Sequence, residues 1–456
     1  MNISDETKSR FLTDSHEKNI SVSFPDIGLV VDGKSFECDN MSLQESIMDM
    51  NKVEFVGCIS SIFQIKLYGI SQNLKGQFIS VSIDVGTEEP IPLFNGIVDS
   101  APSESNRNYK QITAYDELYT KGQIDVADWY ESLNFPITMK DFRDSLCDYL
   151  RLEQENTTLI ADEMLINKEY APTSLKAINV LKSICQINGV FGIINRYNKF
   201  EYRVLNDLFG YEVPYPSLTL FPPFYPAEYS SDGARKEPEE IPYYRNIEYE
   251  EYSVKPVDKV TIRMSDEDSG VVYGRGTNNY IIQGNMFTKN RDRGELRYIA
   301  ELIYNQIKDI AFVPFTATNN GLPWLECGKD TVSYAMYDFV ASAKQEKDVY
   351  ITKQFYILNR TLEGIQALKD TYSVKGEEYQ SEFITDIQMQ IDSVKESAEE
   401  TAKEAAKKEV QNHSYGKDET YTKTEIDELL NNLIISVPEL PANPDPNKYY
   451  AIWEDE

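Results

Sequence analysis

Apolar and polar residues alternate along much of the first hundred positions. FQIKL (63–67) and FISVSID (78–84) place an apolar side chain at every second residue, the period of a strand that buries one face. SVSF (21–24), GLVV (28–31), PLFNGIV (92–98) and YKQITAYDEL (109–118) are similar short runs, bounded by Gly, Asp, Asn or Pro. Together they predict a small antiparallel barrel or sandwich over 19–118. Residues 1–18 are polar and charged, and read as a flexible arm without the apolar core of a signal peptide.

The period then lengthens. DVADWYESLNFP (125–136) and TMKDFRDSLCDYLRL (138–152) read as helices. In the second, Met139, Phe142, Leu146, Tyr149 and Leu150 share one face, and Thr138 with Asp141 forms a capping pair. SLKAINVLKSICQING (174–189) is a further helix, with Ser174 as candidate N-cap and Gly189 as its stop. A hairpin follows, turning at Arg196–Asn198, so 119–206 is an α/β unit. Residues 207–240 are rich in Pro, Tyr and Phe and read as a surface segment, because Pro removes ladder donors. Strand patterns resume over 241–375. One helix interrupts them, GELRYIAELIYNQIKDI (294–310), with Leu296, Ile299, Ile303 and Ile307 in register.

Beyond residue 376 the spacing changes again. Ile384, Ile387, Ile391, Val394, Ala398, Thr401 and Ala405 follow alternating steps of three and four. That is the a/d seam of a coiled coil over 376–412, and Ile at both positions favours three strands over two. A helix packed on its own domain is the competing reading. In 413–456, Thr422 and Glu425 form a capping box before Ile426, Leu429, Leu430 and Leu433, predicting a short helix. A Pro-punctuated tail ends the chain, a docking peptide or the start of a further module.

Charge narrows the function. The 456 residues carry 45 basic and 75 acidic side chains, a formal charge of -30. Tight sequence-independent DNA binding needs clustered Lys and Arg, which argues against that role. The 31 tyrosines suit half-buried strands and interfaces. The five cysteines, Cys38, Cys58, Cys147, Cys185 and Cys327, have no metal or redox spacing and read as reduced buried thiols. His16 and His413 are the only histidines, so a zinc site or a histidine triad is hard to build. No run reaches the ~18 apolar residues of a membrane span. YGRGTNNY (273–280) contains Gly-x-Gly without a following helix and reads as a turn. Asp266 with Asp268 reads as a solvated turn rather than a cation site. Glu248, Glu250 and Glu251 are one chance acidic group among many. No catalytic, cofactor or metal residue is predicted, and the chain is expected not to be an enzyme.

Three stretches carry a resemblance: WYESLNFPITMKDFRDSLCDYL (129–150), the pair PF (314–315) and GLPWLECGKDTV (321–332), and above all RTLEGIQALKDTYSVKGEEYQ (360–380). Over about residues 20–380 the chain resembles the tail-hub family of phages of Gram-positive bacteria. That family is often called tail-associated lysin or tail endopeptidase, and is similar to the baseplate hub of contractile tails. YTKTEIDELL (421–430) is similar to a short repeat of phage tail-fibre and tail-tip proteins.

The resemblance implies an α+β, mainly β fold. Two tail-tube-like β-barrels, 19–118 and 241–375, would flank the α/β domain, with the coiled-coil helix at the C-terminal side. It implies a homotrimer at a virion tail tip, assembled in the host cytoplasm, adapting a six-fold distal tail protein ring to three-fold symmetry. Expected partners are that ring, the C-terminus of the tape-measure protein, a receptor-binding or spike protein at the C-terminal tail, the host cell surface, and DNA only in transit. Relatives carry a cell-wall hydrolase after the hub. Here no Cys follows Cys327 and only His413 lies beyond it, so the peptidase activity is not carried over. A tail hydrolase built from carboxylates and a glycan-binding tail-tip protein are the alternative readings.

Overall fold

A computed structural model covers the chain. It describes residues 3–13, 16–33, 40–48, 57–87, 90–103, 108–169, 172, 174–205, 239–241, 244–264, 268–337, 343 and 350–376. It also gives the backbone of Glu228–Tyr229, Arg235–Lys236, Phe383–Asp386, Ile434–Val437 and Tyr449–Ile452. Two compact units result, 1–391 and 392–456.

The chain opens with a helix, α1 (Asp5–Leu12), where a flexible arm was expected. Ser4 caps it by accepting from the Thr7 N–H at 3.2 Å. Phe11 is buried edge-on against Trp324, with ring centroids 5.9 Å apart. Lys8 pairs with Glu239 at 2.6 Å. The apolar anchor was a single Phe, too little to register as a periodic pattern.

Strands β1 (Asn19–Phe24), β2 (Leu29–Val31), β3 (Ser42–Ser46), β4 (Gly57–Cys58), β5 (Ile62–Tyr68), β6 (Phe78–Asp84), β7 (Ile91–Ser100) and β8 (Tyr109–Tyr115) follow. Each predicted alternation is realised: β5 buries Phe63, Ile65 and Leu67, and β6 buries Ile79, Val81 and Ile83. The α/β unit comprises α2 (Glu117–Lys121), α3 (Ala127–Ser132), β9 (Ile137–Thr138), α4 (Met139–Leu150), β10 (Leu165–Ile166), α5 (Ala177–Asn188), β11 (Phe191–Ile194) and β12 (Phe200–Arg203). Thr138 caps α4 as expected, accepting from the Asp141 N–H at 3.1 Å. Tyr149 is 47% exposed, however, and Arg143 and Cys147 join the buried face in its place. Ser174 does not cap α5: Lys176 occupies that position, and the Ser174 hydroxyl donates to Asp125 at 2.7 Å. Gly189 ends α5 at φ 60°, a left-handed turn that glycine adopts without a Cβ clash. The β11–β12 hairpin turns at Asn198, also at positive φ.

Beyond the α/β unit lie β13 (Glu228–Tyr229), β14 (Arg235–Lys236), β15 (Glu239–Ile241), β16 (Tyr244–Tyr249), β17 (Lys259–Arg263), β18 (Val271–Gly274) and β19 (Asn279–Gln283). Then come α6 (Arg293–Ile307), β20 (Phe315–Asn320), β21 (Thr331–Tyr337), β22 (Tyr350–Tyr356), β23 (Asn359–Glu363), β24 (Lys369–Val374) and β25 (Phe383–Asp386). Helix α6 starts on a capping box from Asp292 to Glu295 and buries Leu296, Ile299, Ile303 and Ile307. In the second unit, β26 (Ile434–Val437) and β27 (Tyr449–Ile452) pair in parallel.

The sheet topology revises the expected pair of barrels. Both strand sets enter one eleven-stranded sheet, ordered β16-β20-β24-β23-β3-β5-β8-β7-β6-β1-β2. The join is the antiparallel pairing of β3 with β23, Ser42–Ser46 against Glu363–Asn359. Neither set closes on itself among the described residues. The 241–375 region also divides. Strands β15-β21-β22 form one small sheet, and β18-β17-β19-β25 form another, against which α6 packs. Strand β4 leaves the first set to pair in parallel with β11 of the α/β unit. The molecule is mainly β with few helices.

Leu43 and Leu362 are Cα partners at the join and both are fully buried. Replacing Leu362 with Ala should cost about 2–5 kcal/mol, the transfer term plus the residual cavity. A lower denaturant midpoint at unchanged slope checks it.

Candidate functional site

The most elaborate polar arrangement lies beneath the sheet join. Glu45 of β3 points inward with Leu43, and β23 directs Arg360 inward with Leu362. The Glu45 carboxylate accepts from Arg360 and Arg196, each at 3.1 Å. Arg360 also grips Asp370 of β24 through two bonds, 2.7 and 3.1 Å. Its remaining donors reach the Leu322 carbonyl at 2.8 Å and that of Leu325. Arg196, from the hairpin turn, donates to the carbonyls of Pro323 and Leu325. Arg203 of β12 meets Glu326 at 2.7 Å and Glu201 at 3.1 Å, and donates to the Cys327 carbonyl. Three guanidinium groups thus tie β3, the α/β hairpin and the 322–327 segment together. Their planar forks bring donors to the carbonyls of this turning backbone, of which that of Leu322 also accepts from the Leu325 N–H at 3.1 Å.

Burial would raise the Glu326 carboxyl, but Arg203, helped by Arg196 and Lys329, outweighs it and holds the group well below the usual carboxylate range. Burial likewise disfavours the charge on Arg360, and Asp370 and Glu45 more than restore it. At the edge of the same region, Asp116 is pushed up to about 6 by burial. Hydrogen bonds from Ser61, Ser60 and Leu118 offset only part of that push.

This arrangement is built to hold rather than to react. Its carboxylates are spent on arginines. Two adjoining cavities, lined by residues such as Glu45, Ser61, Asn195 and Arg196, measure about 10 and 20 Å³, room for roughly one water each. Among the described residues no group of His, Cys, Asp and Glu is arranged to hold a metal ion, and no helix is long and apolar enough to cross a membrane.

The opposite face of the eleven-stranded sheet is unusual in chemistry. One row of Cα partners runs Tyr115–Ile62–Gln44–Thr361–Thr371–Thr318–Asn246. The next runs Thr113–Gln64–Ser42–Glu363–Lys369–Asn320. Toward β1 the pairs are Ser21–Ser82 and Ser23–Ser80. The charges within these rows neutralise each other, Glu363 pairing with Lys369 at 3.3 Å. Lys66, beside them, sits 5.0 Å over the Tyr109 ring. These rows are mostly hydroxyl and amide groups, with charge at their margin: Asn246 donates to the exposed Glu248 carboxylate at 3.1 Å, and Arg245 to Asn320 at 3.4 Å.

The candidate seam is placed only at its first member. Ile384 lies in β25, paired in parallel with Ile281 of β19, so the helix expected from 376 does not include it. Phe-Ile-Thr is β-prone as well as compatible with a heptad, and an available sheet edge decides between them. Ile387, Ile391, Val394, Ala398, Thr401 and Ala405, like the helix at 421–433, lie outside the described residues, as do Cys38, His413 and Asp266. Asp268 accepts from the N–H groups of Met264 and Gly270, as a turn residue does. Glu248, Glu250 and Glu251 are exposed. The Gly274–Gly276 stretch is a strand turn, tied by Asp258 accepting from Thr277 and Asn278 at 3.0 Å. The arginine junction was absent from the sequence-based candidates. Its trace was present: Arg360 and Glu45 each stand two residues from an inward Leu, at a position where a solvated charge does not belong.

No family model matches the chain, and no curated protein matches it. Among solved structures it is similar to the 43 kDa tail protein of prophage MuSo2 from Shewanella oneidensis, at 11% identity and a TM-score of 0.45, over 79% of this chain and 97% of that one. It is similar to the tail protein from Neisseria meningitidis MC58, at 12% and 0.44, over 80% and 98%. It is also similar to prophage tail protein gp18 from Listeria monocytogenes EGD-e, at 12% and 0.44, over 78% and 94%. Likenesses this distant assign no function.

Two outcomes test the junction. Arg360→Ala strands the fully buried Asp370 and should cost about 3–5 kcal/mol in denaturant melts. The pH dependence separates Glu326 from Asp116. Glu326, depressed, contributes stability that is full above the ordinary carboxylate range and is lost as pH falls below it. Asp116, raised, contributes stability that is full below pH 4 and is lost as pH climbs through 6. Asp116→Asn keeps the cap of α2, and should remove roughly 1–3 kcal/mol of pH-dependent change between 4 and 6.

Proposed function

We propose that this chain is a structural, non-enzymatic hub of a phage-type tail tip, working as a homotrimer that closes the tail tube and opens for DNA. The observation that supports it best is the eleven-stranded sheet. Strands from both ends of residues 19–375 pair into one surface whose outward rows are mostly uncharged hydroxyl and amide groups. A wall of hydroxyl and amide groups neither collects phosphates, as Lys and Arg would, nor repels them, as carboxylates would. That suits DNA in transit. The resemblance over residues 20–380 supplies the three-fold assembly, the distal tail ring above, and the tape-measure C-terminus within. The residues from Ile387 to Ala405 supply a route to association, and the C-terminal tail a mount for a receptor-binding protein.

Sedimentation of the full chain, alone and with the distal tail ring, should give a trimer. Ile387→Asp together with Ile391→Asp should weaken trimerisation at least tenfold. A monomer that ignores the ring would overturn the proposal. Clearing of purified peptidoglycan by the intact chain would favour the hydrolase reading instead.

A further inference from the structure

The four described cysteines are all buried. Two of them, 127 residues apart in sequence, touch: the sulfurs of Cys58 and Cys185 are 3.5 Å apart. Cys58 sits on the two-residue strand β4, Cys185 one turn from the end of α5. Gly192, the Cα partner of Cys58 across β11, leaves the room for this contact: a Cβ there would come within 2.8 Å of the Cys58 sulfur. The neighbouring Tyr202 hydroxyl is buried and has no hydrogen-bond partner, so it engages neither thiol. Cys327 is different, its thiol donating to the Glu45 carbonyl at 3.4 Å.

We infer that Cys58 and Cys185 are an oxidisable pair, forming a disulfide that fastens β4 to α5 once the chain meets oxidising surroundings. The sulfurs must approach by about 1.5 Å to reach the ~2.05 Å of a disulfide. The oxidant is a peroxide or a low-molecular-weight disulfide. With peroxide, Cys58, 6% exposed against 0% for Cys185, reacts first. Its sulfur takes one peroxide oxygen as a sulfenic acid, and the other leaves as water. The Cys185 sulfur then displaces that oxygen as a second water, so two thiols and one peroxide give one disulfide and two waters. Burial and the adjoining Cys58 push the Cys185 thiol well up, so closure should be slow at neutral pH and faster in alkali. The inference stands apart from the tail reading, since it rests on the two sulfurs alone.

The test uses the intact chain, purified in reductant and then treated with hydrogen peroxide or oxidised glutathione under native conditions. Non-reducing peptide mass mapping should show the Cys58 peptide linked to the Cys185 peptide. Cys147 and Cys327 should remain free to alkylate. The melting temperature should rise by roughly 5 °C or more, because the link closes a long loop. Cys58→Ser and Cys185→Ser should each abolish link and shift, and Cys147→Ser should leave both. If all thiols stay free, if Cys58 links elsewhere, or if the link needs denaturant, the inference is overturned. Should the serine variants fail to fold, the mass map of the unmutated chain decides alone.

Discussion

The pairing of β3 with β23 is the constraint on which the rest of unit 1–391 depends. It joins residues 42–46 to 359–363, segments more than three hundred residues apart in sequence. Until it forms, the seven strands on the β3 side and the four on the β23 side present facing edges with unpaired N–H and C=O groups. An open edge is a site of misassociation, so the join protects as well as connects. Beneath it, Glu45 bridges Arg360 and Arg196, which brings the α/β hairpin to the same point. A buried ion pair is weak evidence of stability by itself, since desolvation opposes it. Its value here is register. A slip of one residue in β3 would turn Glu45 out and Gln44 in, taking from Arg196 its carboxylate partner and leaving Arg360 with Asp370 alone.

Folding order follows from that geometry. Hairpins such as β6–β7 and β23–β24, with the helices of the α/β unit, close short loops. The join closes one of more than three hundred residues, and loop entropy must be overcome before it gains anything. The Glu45 bridge to Arg360 waits on that join, whereas Arg360 and Asp370 meet within the short β23–β24 hairpin.

Much of this was legible in the sequence, and the misses have physical reasons. Period-two alternation located β1, β5, β6, β7 and β8 because each buries one face only. The capping box of α6 and Gly189 after α5 marked helix ends by local chemistry that tertiary context left intact. Strand β3, SLQES, went unseen because its inward positions hold one Leu and one Glu, and the Glu belongs there only because Arg360 arrives from the far end of the chain. Helix α1 was missed for a similar reason, its burial resting on Phe11 finding Trp324. The pair of expected barrels became one sheet because periodicity reports that a strand has a buried face, never which edge it will meet.

Ile384 shows the same limit at residue level. A spacing of three and four and a β-prone triplet coexist in FITDIQMQI, and local preference cannot rank them. Parallel pairing with β19 ranks them for the first four residues, adding a fourth strand to the sheet that carries α6. This has a consequence for assembly. A seam that begins at Ile387 instead of Ile384 loses its first apolar layer, and its later layers are Ala and Thr. Taken alone, such a spacing is a marginal basis for a three-stranded bundle.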